Sequence, residues 1–170
     1  MFFEVLVLGD GIDDLVTSSY RGDESHVLLD VSGHSSGSFA TEADLTLTYG
    51  STSSQTTAKS SGDYNGDGYG DLLYGKGREA AVYLGSTAPT DTPAVEWEDT
   101  TGSYGTGGIA SGGDFDGDGL DDVAFHDISS NVFLYYGGTT GSYELMTDAD
   151  AVLSWSSNVG ASYMGVGRPI

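Results

Sequence analysis

The chain holds 170 residues, with 26 acidic and 5 basic side chains, 27 glycines, three prolines and no cysteine. That length suffices for one domain with a real core, disulfides cannot brace it, and no apolar run reaches the ~18 residues of a membrane-crossing helix. The net charge is −21 and Arg21, Lys59, Lys76, Arg78 and Arg168 are dispersed, which argues against nucleic acid and anionic membranes as partners, because phosphate recognition needs clustered cations.

The opening MFFEVLVLGDG has no basic leader, and Glu4 interrupts its apolar run, so it does not read as a signal peptide. Residues 2–8 read as a strand. Further strands are predicted at 15–19, 26–31 and 44–49, separated by Ser/Gly-rich turns such as SGHSSGS. Arg21-Gly22-Asp23, between the first two of these, is a tripeptide found in adhesion ligands; its plain reading is a polar turn. A second unit opens near Thr56 with the small-residue strand TTAKSSG, passes through DYNGDGYGD at Asp63–Asp71, and continues in strands at 71–74, 80–84 and 94–98. A third opens near Thr106 with TGGIASG, passes through DFDGDGLDD at Asp114–Asp122, and continues in strands at 123–126, 132–136 and 151–155. AVEW at 94–97 and AVLSW at 151–155 fall at corresponding places, and SYMGVGRPI at 162–170 resembles the strand that precedes a loop.

Asp71 and Asp122 lie 51 residues apart, and Asp14 lies 57 residues before Asp71. A period of about fifty residues is in the range of propeller blades. The reading is therefore all-β: about three four-stranded antiparallel blades of a partial β-propeller, spanning 1–55, 56–105 and 106–161, with 162–170 starting another. Three blades leave sheet faces open to water, so further blades from the same or another chain are expected.

The two nonapeptides carry the chemistry. Oxygen-bearing side chains stand at positions 1, 3, 5 and 9: Asp63, Asn65, Asp67 and Asp71 in one loop, and Asp114, Asp116, Asp118 and Asp122 in the other. Tyr69 and Leu120, at position 7, would add a backbone carbonyl, leaving their side chains free to vary. Calcium takes six to eight such oxygens at about 2.3–2.6 Å. Carboxylates crowded into one turn repel by several kcal/mol unless a cation lies between them. Glycine at position 6, Gly68 and Gly119, allows the sharp bend. Position 12 holds Tyr74 and Phe125 where a helix–loop–helix calcium site needs glutamate, and apolar strand sequence follows directly. Asp121, at position 8, is expected to point outward. In the first unit, Asp10–Asp14 match positions 5 to 9, but Leu6 and Leu8 stand at positions 1 and 3, so that loop is expected to hold no ion, or one only weakly. Zinc does not suit loops without Cys or His.

SGDYNGDGYGDLLYGKG followed by AAVYLGS, and GGDFDGDGLDDVAFHD followed by NVFLYYGG, resemble FG-GAP repeats, the blades of integrin alpha-subunit propellers and of many microbial surface proteins. The resemblance implies a calcium loop between the first two strands of a blade. It also implies an extracellular or cell-surface role in binding a protein or glycan ligand, without catalysis. Rival readings are an ancillary propeller domain of an extracellular lyase or phospholipase, and a structural tandem array. His26, His34 and His126 share no metal-ligand spacing, and no nucleophile–base pattern appears. Trp97, Trp155 and the tyrosines read as blade core rather than a sugar-stacking surface. The remaining acids fit either a solvated acidic surface or adaptation to high salt.

Overall fold

The computed structural model describes residues 3–7, 12–18, 24–30, 37–48, 56–100, 108–127 and 131–154. Arg21–Asp23, His34, Trp155, the strand expected at 162–170 and the Asp10–Gly11 part of the first unit's Asp10–Asp14 segment lie outside the described residues.

The described chain is all-β apart from one helical turn, α1 (Phe39–Glu42). Strands β1 (Phe3–Val7), β2 (Asp13–Ser18), β3 (Glu24–Leu28) and β4 (Leu45–Thr48) form an antiparallel meander in sequence order. Strands β5 (Thr56–Gly62), β6 (Asp71–Lys76), β7 (Glu79–Tyr83) and β8 (Val95–Glu98) repeat it. The third sheet uses β9 (Gly108–Gly113), β10 (Asp122–His126), β11 (Asn131–Tyr135) and β13 (Ala151–Ser154). Between β11 and β13, β12 (Gly141–Glu144) leaves its own sheet and pairs parallel to β8, making the second sheet five-stranded. The sequence reading anticipated four antiparallel strands there. The first strand of each sheet lies at its end of the strand order, and β5 runs beside both β1 and β9, as inner strands of adjacent blades do.

Alternation decides how the sheets stack. Successive side chains of a strand face opposite ways. On β6, Leu72 and Tyr74 join Ala81 and Tyr83 against Val16, Val27 and Leu47 of the first sheet. Leu73 on the same strand faces the other way. With Ala80, Val82, Val95 and Trp97 it packs on Val123, Phe125, Phe133 and Tyr135 of the third sheet. The second sheet is thus apolar on both faces, which is why DLLYG reads as a continuous apolar run. Trp97 is fully buried, with the rings of Phe125 and Tyr135 centred 5.2 and 5.3 Å away and Tyr143 of β12 stacked at 6.4 Å. It belongs to the core, as expected from the sequence.

Candidate metal centre

Each acidic nonapeptide joins the first two strands of its sheet. The register slips by one residue just before each loop: β5 sets Ser60 and Gly62 against Leu72 and Asp71, and β9 sets Ser111 and Gly113 against Val123 and Asp122. Such a bulge re-aims the chain at the sheet edge.

Inside the loops the carboxylates turn inward and gather backbone N–H groups. In the second loop Asp114 Oδ1 accepts from Gly117 N and Asp118 N at 2.6 and 3.1 Å, and its Oδ2 accepts from Gly119 N at 3.0 Å. Asp116 Oδ1 accepts from Asp118 N at 3.0 Å, and Asp118 Oδ1 from Leu120 N at 2.8 Å. The first loop repeats the pattern: Asp63 accepts from Asp67 N and Gly68 N, Asn65 from Asp67 N, and Asp67 from Tyr69 N. Gly68 and Gly119 both take positive φ, +89° and +95°, with open space where a Cβ would stand.

Position 9 works differently. Asp71 and Asp122 are fully buried at the mouth of the sheet. Asp71 accepts from Tyr64 N and Gly85 N, both at 2.8 Å. Asp122 accepts from Phe115 N, and from Gly137 N at 2.8 Å. Burial pushes the Asp71 carboxyl up to about 6; the two N–H donors oppose that, and the Asp67 and Asp63 charges add to it. Asp122 is raised for the same reasons, burial first. A cation in the loop would favour the charged form of both.

Two oxygens bound to one calcium ion can stand no further apart than about 5 Å, twice the bond length. One oxygen from each of Asp114, Asp116 and Asp122 lies within 4.8 Å of the others, and this is the one carboxylate or histidine group of three so disposed among the described residues. The second loop therefore fits a hard divalent cation. Asp118 stands outside that trio. Asp63, Asp67 and Asp71 do not converge to the same separation. Position 3 of this loop is the amide Asn65, whose Nδ2 donates to Asp67 Oδ2 at 2.8 Å and ties two candidate ligands together.

Two expectations are corrected. Asp121 does not point outward; it is 8% exposed, and its Oδ2 accepts from Asp63 N at 2.9 Å. The Leu120 side chain is not free either, because it packs where a Cβ on Gly66 or Gly138 would stand. Both corrections have one cause: position 8 of one loop faces position 1 of the loop before it, so the neighbouring blade decides what the second loop's side chains meet. The role of Gly85 and Gly137 as position-9 partners was also missed. Their signal in the sequence is the glycine of YLG and YYG, 14 or 15 residues after the position-9 aspartate.

Residues 63–125 match the family model of the FG-GAP-like repeat, from the first position of one loop through the strand that follows the other. No curated protein matches the chain.

Proposed function

We propose that the FG-GAP-like repeat at residues 63–125 makes this chain a calcium-stabilised, non-catalytic segment of a β-propeller, one that presents loops to a protein or glycan ligand at a cell surface or outside the cell. The observation that carries the calcium reading is the convergence of Asp114, Asp116 and Asp122 within 4.8 Å. Asp118 and the Leu120 carbonyl would complete that site. Asp63, Asn65, Asp67, Asp71 and the Tyr69 carbonyl would form the other. The first unit's Asp10–Asp14 segment would hold no ion. The ion would neutralise the clustered carboxylates and fix the turn that enters each sheet. Catalysis has no part in this reading. No described helix is long and apolar enough to cross a membrane.

Further blades fit the same reading. Leu73, Ala80, Val82, Val95 and Trp97 are the face on which the second sheet receives the third. By strand register their counterparts in the third sheet are Ala124, Val132, Leu134, Ala151 and Leu153, an apolar face of the same pattern. Leu153 is 52% exposed. That face suits one more blade of the same kind.

Calorimetric titration of chelator-treated protein with calcium tests the ion reading, and two bound ions are expected. A ligand at 100 times its dissociation constant stabilises by about 2.7 kcal/mol per site. For a chain of this size that raises the melting temperature by roughly 5–10 °C per site. Neither heat nor thermal shift would remove the calcium reading.

A further inference from the structure

The two acidic loops are bonded to each other. Asp63 N donates to Asp121 Oδ2 at 2.9 Å, and Asp121 N donates to the Asp63 carbonyl at 3.0 Å, closing a two-bond ring between position 1 of the first loop and position 8 of the second. Alongside it, Gly138 N donates to the Tyr64 carbonyl at 2.7 Å, and the Tyr64 hydroxyl meets Thr139 Oγ1 at 2.7 Å. Gly62 has no Cβ, and the Asp121 carboxylate fills that space: a Cβ there would stand 2.0 Å from Asp121 Oδ2. Leu120 covers Gly66 in the same way. The second loop therefore holds the backbone of the first from residue 62 to residue 66.

We propose that Asp121 is a positioning residue that couples the two calcium sites, so that filling either loop tightens binding in the other. This rests on the calcium reading above. Asp121 stands between two candidate ligands of the second site, the Leu120 carbonyl and the Asp122 carboxylate. Its bonds fix the backbone of Asp63, the first ligand of the first site. An ion in the second loop orders residues 120–122 and so holds Asp63 in place; the first site then binds without meeting that ordering cost again. The coupling is reciprocal by linkage. It has no counterpart toward the first unit, because position 8 of the first loop is Gly70, which has no side chain to offer.

Calorimetry on the whole chain tests it. Asp116→Ala removes one of the three converging carboxylates of the second site, and Asp67→Ala a candidate ligand of the first. In the wild-type background each change is expected to weaken the remaining site about fivefold, the low end of measured couplings, and the intact protein should bind with a Hill coefficient above one. In an Asp121→Ala background, disabling one site should leave the affinity of the other unchanged. Asp121→Asn keeps an oxygen for the Asp63 N–H and should retain the coupling; it also serves if the alanine variant does not fold. Equal affinities in single-site and two-site proteins overturn the coupling alone, as does coupling that survives Asp121→Ala. Absence of any calcium binding by the wild type overturns the coupling and the calcium reading together.

Discussion

At the residue scale, the position-9 aspartate has a duty that needs no ion. Asp71 and Asp122 hold the N–H of Gly85 and Gly137, two residues beyond the third strand of their sheets. Asp14, buried at the same place in the first sheet, accepts from Asp30 N at 3.0 Å. The clamp persists there although Leu6 and Leu8 replace two candidate ligands. Asp30 takes a φ of +49° at this place, a conformation aspartate tolerates better than most residues. Gly85 answers to a different constraint, since a Cβ on it would stand 2.1 Å from the Gly70 carbonyl oxygen, which is fixed backbone. Gly85→Ala should therefore cost about 3 kcal/mol, the upper range for an overpacked site. Gly68→Ala meets open space and should cost only the strain of positive φ, about 1–2 kcal/mol. Urea unfolding of the two variants in chelator compares them directly; equal losses would show that the close approach at Gly85 relaxes.

At the element scale, strand positions were legible because alternation and turn glycines are local signals. DLLYG and DVAFH begin strands at Asp71 and Asp122, directly after the acidic loops, as their apolar runs imply. β12 was not legible. It is four residues long, opens with glycine, and pairs in parallel with Val95–Glu98, far back in the chain. Its reward is nonlocal: Tyr143 stacks on Trp97, and Leu145 N donates to the Glu98 carbonyl at 2.9 Å. Trp97 joins β12 and the second and third sheets in one core, so Trp97→Ala should cost about 3–5 kcal/mol in denaturant unfolding. Leu153, its register counterpart in the third sheet, is half exposed. Leu153→Ala should cost less than about 1 kcal/mol in this chain alone. Similar losses at the two positions would contradict the packing described.

At the scale of the whole molecule, a net charge of −21 opposes compaction. Monovalent salt should raise the melting temperature in chelator, because the Debye length falls from about 10 Å at 0.1 M to 3 Å at 1 M. If calcium binds as proposed, the same salt step at saturating calcium should give a smaller rise, since the bound cations would offset part of the repulsion. A salt response that calcium leaves unchanged would mean that the repulsion lies elsewhere on the surface.

The sequence by itself determined every described strand but β12, the fifty-residue repeat and the composition of both acidic loops, since each is written in neighbouring residues. It could not decide which side chains the loops turn toward each other. That depends on how one sheet stacks on the next, and stacking put Asp121 on Asp63 and Leu120 on Gly66. Those partners come from different sheets, so their meeting is set by the packing of apolar faces rather than by any local preference of the chain.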